Sequence, residues 1–73
     1  MTDPQQALTA CRQVGLTEGQ WITDARAGRG QIETLTPTLV VVVTEDGEPI
    51  ALDGASVLYE SYQDGGIEVT EGP

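Results

Sequence analysis

Five consecutive apolar residues, Leu39-Val40-Val41-Val42-Val43, run on through Thr44-Glu45 into Asp46-Gly47 and then Ile50-Ala51-Leu52. An Asp-Gly pair readily supplies the positive φ that both central positions of a two-residue type I′ turn need, so the two apolar runs are predicted to pair as a β-hairpin. Both alternating faces of the first run are apolar. A half-exposed strand would alternate with polar residues, so this one is expected to be covered on both sides, with Leu39, Val41, Val43, Ile50 and Leu52 in the core.

The natural cover for one side lies at the N-terminus. Asp3 is placed to cap a helix, Pro4 suits its first position, Gln6 has capping-box spacing and Gly15 is a terminator, which predicts a helix over 4–14. Its apolar residues Ala7, Leu8, Cys11 and Val14 recur every three or four positions and form one stripe. Leu16, just beyond the glycine, is expected to fold back on the last turn.

From Trp21 onward, short apolar runs alternate with glycine-containing turns, the rhythm of antiparallel strands. Strands are predicted over 21–25, 31–35, 39–45, 49–53, 57–62 and, more weakly patterned, 67–70. The fold class expected is therefore α+β, mainly β: one N-terminal helix on an antiparallel sheet of five or six strands, bent or closed into a small barrel. At 73 residues the chain is one domain, with a loose tail at 71–73.

Gly19-Gln20-Trp21-Ile22, the glycine turn Arg26-Ala27-Gly28-Arg29-Gly30 and Gln31-Ile32-Glu33-Thr34-Leu35, followed by 39–43, Asp46-Gly47 and Ala55-Ser56-Val57-Leu58, together resemble the SH3-like barrels of the KOW and Tudor type over residues 19–58. The resemblance implies a closed barrel with a short helical turn before its last strand. Such barrels bind RNA, DNA, peptides or scaffolds, so the likeness implies a binding fold without naming a ligand.

Charge narrows the ligand. The formal net charge is −9, with only three basic residues, all arginine. Such a surface repels phosphate backbones and anionic headgroups, so direct nucleic-acid and membrane binding are disfavoured and a protein with a basic surface is the expected partner. The bias against Lys, Asn, Phe and His fits a GC-rich or salt-rich source, or a phage of such a host. The first residues lack a signal-peptide pattern, and 39–43 is too short to span a bilayer, so the expected location is cytoplasmic or a virion interior.

Catalysis finds little to work with. No histidine or lysine is present, which removes most nucleophile and base arrangements as well as zinc sites, and no cofactor is expected. Glu45 and Glu48, flanking the turn, lack apolar neighbours that would raise their pKa values, and Asp46-Gly47-Glu48 lacks the ligand series of a calcium loop. Cys11 cannot form an intramolecular disulfide and is read as a buried small hydrophobe. The protein is expected to be non-enzymatic.

Partner contact is then assigned by contrast with an acidic background. Arg26 and Arg29 form the basic spot of the chain, and Tyr62 ends the predicted fifth strand beside Gln63-Asp64-Gly65-Gly66; arginine and tyrosine are frequent interface anchors. Trp21 and Tyr59 are expected to fill the core of a chain without phenylalanine. Glu33, Glu48 and Glu60 represent the other option, an acidic face that imitates DNA phosphates and occupies a DNA-binding protein. The functions expected are thus a protein-binding adaptor or regulator, an acidic nucleic-acid mimic, or a small structural subunit of a virion that lends an edge strand to a neighbour.

Overall fold

The computed structural model describes residues 3–72. Along the chain come α1 (Pro4–Gln13), β1 (Trp21–Asp24), β2 (Gly28–Leu35), β3 (Val40–Thr44), β4 (Pro49–Leu52), α2 (Ala55–Gln63) and β5 (Ile67–Val69). The five strands form one antiparallel sheet in the order β4-β3-β2-β1-β5. β1 to β4 are a meander; α2 then carries the chain from one edge of the sheet to the other, where β5 pairs with β1.

The sheet is open, which corrects the expected barrel. Closing it would require β4 to pair with β5, but these strands have only four and three residues and lie three strands apart. The two helices occupy the face that a barrel would turn inward. The α+β class and the antiparallel sheet of five strands stand as expected.

Sequence explains both helix ends. Asp3 Oδ1 accepts the Gln5 N–H at 3.0 Å, and Pro4 begins the helix without sacrificing a hydrogen bond. At its C-terminus Gly15 takes φ 91°, its N–H reaches the Arg12 carbonyl at 3.3 Å, and the Leu16 N–H returns to the Cys11 carbonyl at 2.8 Å. This is a Schellman motif, and Leu16 is fully buried by it. The same motif ends α2, where Gly65 (φ 82°) and Gly66 donate to the carbonyls of Tyr62 and Ser61 at 3.2 and 2.9 Å.

The second helix replaces the strand predicted over 57–62. Ala55, Leu58, Tyr59 and Tyr62 are spaced i, i+3, i+4 and i+7, a helical stripe. Ala55 and Leu58 are buried by it, and Tyr59 and Tyr62 pack beside them. The β-favouring residues Val57, Tyr59 and Tyr62 suggest a strand locally, but burying this stripe overrides that propensity.

One face of the sheet carries the core. Ile22, Ile32, Leu35, Val40, Val42 and Ile67 meet Ala7, Cys11, Leu16, Ala55 and Leu58 from the helical side. The expected core is therefore corrected by one residue of register: Val40 and Val42 are buried, Val41 and Val43 are half-buried on the opposite face, and Leu39 is 44% exposed. Ile50 and Leu52 point inward with Val42 and Val40 but are only half-buried, because β4 is an edge. No aromatic residue is fully buried among the described residues; Tyr59 packs against the core as expected, though half-buried, whereas Trp21 is half-buried on the opposite face with Val43.

The turns also differ in detail. Only glycines have positive φ among the described residues, so Asp46 cannot take the type I′ conformation. Instead Thr44 pairs with Glu48, whose carbonyl accepts the Thr44 N–H at 3.0 Å, and the loop is the three residues Glu45-Asp46-Gly47 with Gly47 at φ 84°. β2 begins three residues earlier than predicted, because Asp24 Oδ1 takes the Arg26 N–H at 2.7 Å and Gly28 (φ 82°) completes a tighter turn. Arg29 and Gly30 therefore belong to the strand. No helix of the described residues is long and apolar enough to cross a membrane.

Candidate functional site

The register lays out the face that the helices leave bare. Across the strands, Trp21, Gln31, Val43 and Pro49 form one row, and Thr34, Val41 and Ala51 the next. Thr23 pairs with both Glu68 and Arg29, whose carbonyl accepts the Glu45 N–H at 3.2 Å, adding a polar row at one end. At the other end Thr36 takes the Leu39 carbonyl through both its N–H and Oγ1, at 2.9 Å each, which puts Leu39 beside the apolar rows. The β-bulge between Ile32 and Thr34 leaves Glu33 exposed at their margin.

This outer face holds the apolar side chains Trp21, Leu39, Val41, Val43 and Pro49, with Gln31 set between Trp21 and Val43 and Thr34 beside Val41, and carboxylates around them. No described secondary-structure element packs over it. The C-terminal segment partly shields one corner: Thr70 donates to the Trp21 carbonyl at 3.0 Å, and Gly72 lies so close to the indole that a Cβ there would come within 2.7 Å of Cδ1. Of the tail expected at 71–73, Pro73 lies outside the described residues.

The six predicted contact residues are not brought together. Arg26 is exposed in the β1–β2 turn, while Arg29 stands on the outer face with Nη2 3.1 Å from Glu45 Oε2. The hydrogen bond and charge of Glu45 hold the Arg29 guanidinium above its ordinary pKa. That pair leaves Arg29 less available to a partner carboxylate than a solvated arginine would be, and its Nε is shielded without a hydrogen-bond partner. Tyr62 lies on α2 rather than at a strand end, its ring 6.2 Å from that of Tyr59 and inclined by 22°. Glu33 is at the bulge, Glu48 follows the β3–β4 turn and Glu60 is on the helical layer, so the three do not share a face.

Reading the sequence missed the outer face itself. Its signal was the polar or small residues that pair with apolar ones there, such as Gln31 with Val43 and Thr34 with Val41, a mixture expected of a half-exposed surface.

Cys11 sits in the contact between the helices, fully buried, with Sγ 3.5 Å from the Ala55 carbonyl oxygen. Burial pushes its thiol pKa up, so the neutral form persists in the folded protein. Alkylation by iodoacetamide at neutral pH is expected to be at least tenfold slower than for the urea-unfolded chain, and equal rates would contradict this packing. The raised folded pKa also fixes a sign. Its stabilising contribution is fully present below the ordinary thiol range and is lost as pH rises through the folded value, because the unfolded thiol ionises first. Among the described residues no cluster of three or more cysteines and carboxylates is arranged to hold a metal ion.

Comparison with family models, with curated proteins and with solved structures finds no match to this chain.

Proposed function

We propose that this protein is a non-enzymatic binding module, an adaptor or regulator, that presents the bare face of its sheet to a partner protein with a basic surface. The observation that carries the reading is the exposed Leu39 with the half-buried Val41, Val43 and Trp21 on a sheet face that no helix covers, in a protein whose other sheet face is closed by two helices. A bare apolar sheet face in a small domain is a common place for protein contact, and an aromatic ring at its corner suits an anchor role. Glu33, Glu45 and Glu68 around it favour a basic rim on the partner.

The mimic reading asks for carboxylates arrayed on one surface, and the separation of Glu33, Glu48 and Glu60 argues for the adaptor instead. A virion subunit would use the same face or an edge against its neighbours.

Capture of partners from host lysate at low and high salt, with three versions of the protein, separates these readings. The double substitution Leu39→Ser and Val41→Ser is expected to lower capture at least tenfold, and capture by the wild type should survive high salt because apolar contact holds it. Replacing Arg26 and Arg29 by alanine should have a smaller effect. If instead reversing Glu33, Glu48 and Glu60 to lysine abolishes capture while the double serine variant binds normally, the acidic mimic replaces the adaptor.

A further inference from the structure

The two edges of the sheet are unequal. In β4, the Thr44–Glu48 bond sets the phase: Ile50 and Leu52 turn their backbone groups toward β3, and Pro49 and Ala51 turn theirs outward. Proline has no N–H, so one of the two outward donors of that edge is missing. In β5, Ala25 donates to the Gly66 carbonyl at 2.8 Å and Thr70 to the Trp21 carbonyl at 3.0 Å, so residues 66, 68 and 70 face β1. Ile67 and Val69 therefore direct their N–H and carbonyl groups away from β1, and of the two Val69, 39% exposed, is the one open to solvent, Ile67 being buried. The ladder behind them runs five residues, longer than the three of β5 itself.

A shallow, largely open depression of about 500 Å³ lies at this edge, lined by Tyr62, Gln63, Gly65, Ile67, Glu68 and Val69. Its two sides differ. Ile67 and Val69 belong to the helical face of the sheet, on the side of Tyr62, whereas Glu68 belongs to the outer face. A strand laid there would place alternate side chains against the Tyr62–Val69 side and against Glu68.

We propose that the β5 edge accepts an extended segment of the partner as a sixth strand, one that alternates apolar residues toward Tyr62 and Val69 with lysine or arginine toward Glu68. The inference rests on the protein-binding reading and specifies how such a partner is held. Backbone pairing supplies register-independent affinity, and the alternating contacts supply choice. Charge selects the occupant. A second copy pairing β5 with β5 would bring together two chains of net charge −9, and Glu68 against its counterpart, whereas a basic strand is attracted to Glu68 and its neighbours Asp64 and Glu71.

The test uses two synthetic heptapeptides, one alternating lysine with valine and one alternating glutamate with valine, titrated into the uniformly labelled protein and followed by amide NMR. With the lysine peptide in saturating excess, the Ile67 and Val69 amides should shift, and hydrogen exchange of the exposed Val69 amide should slow at least tenfold. The glutamate peptide should leave them unchanged. Val69→Pro removes an outward donor without breaking the ladder to β1 and should abolish the effect; Val69→Ala, which keeps the N–H but trims the apolar contact, should weaken the peptide's affinity and still show the protection at saturation. The exchange measurement on the unmodified protein stands even if the proline variant misfolds. Equal response to both peptides, or no protection at Val69, overturns the proposal, as does concentration-dependent dimerisation that protects that amide without peptide. Shifts confined to Val41 and Val43 overturn it too, while leaving the outer face as the binding surface.

Discussion

Gly54→Ala is expected to destabilise the protein by at least about 3 kcal/mol, a large fraction of the stability of a domain of this size. Gly54 is buried at φ 132°, ψ −178°, a backbone region that is essentially glycine-only. A Cβ there would also overlap the Pro37 carbonyl oxygen and stand 3.1 Å from Thr38 Cα. Those obstacles are backbone atoms, which cannot step aside by changing rotamer. Relief would require separating the start of α2 from the β2–β3 turn, a turn already fixed by the Thr36 hydroxyl, which accepts the Leu39 N–H at 2.9 Å.

Gly47→Ala provides the comparison. Gly47 has φ 84° with nothing within 4 Å of a built Cβ, so it carries a left-handed penalty of about 1–2 kcal/mol and no collision. Urea unfolding followed by circular dichroism measures both. Should Gly54→Ala prove no worse than Gly47→Ala, the close approach of α2 to the β2–β3 turn would be wrong.

The contrast between these glycines also separates what the sequence disclosed from what it concealed. Asp46-Gly47 announced its hairpin because turn chemistry is local, and the only error was one loop residue. The α1 boundaries were readable for the same reason: Asp3, Pro4, Gly15 and Leu16 act on neighbours within a few residues. Gly54 carries no such local mark, because its contact with Pro37 depends on where a distant turn arrives.

α2 was misread although its stripe was present. Residues 55, 58, 59 and 62 fit a helix, yet Val57 alongside two tyrosines, in a chain already full of strands, favours a fifth strand there, ahead of the one at 67–70. That substitution has functional consequences. It moved Tyr62 from a supposed strand end onto the helical layer, and it removed the extra strand that would have helped the sheet to close. The candidate site was concealed by the same non-local cause, since a bare sheet face exists only once the helices have chosen the other face.

That choice is where the second large effect lies. Val40→Asp is expected to abolish folding, whereas Val41→Asp, one residue away, should cost about 1–2 kcal/mol and leave a folded domain. The five apolar residues at 39–43 offer no alternation, so the pattern permits either face to be inward. What decides is the pairing: Val40 faces Leu35 and Leu52, and Val42 faces Ile32 and Ile50, all on the side where Leu58 and Ala55 arrive. Val40 is fully buried there, so a carboxylate in its place would have to lose its hydration without a cationic partner, or take up a proton and still forfeit the apolar contacts. Either route costs about 4 kcal/mol or more, comparable with the whole stability of a small domain. Val41 lies between Thr34 and Ala51 on the outer face, where an introduced carboxylate can reach water and loses mainly strand preference and partial burial. One-dimensional NMR dispersion and thermal unfolding of the two variants decide the matter. Unfolding of both would mean that the outer face is covered after all. A folded Val40→Asp protein beside an unfolded Val41→Asp protein would invert the sheet, and with it the surface on which the binding reading depends.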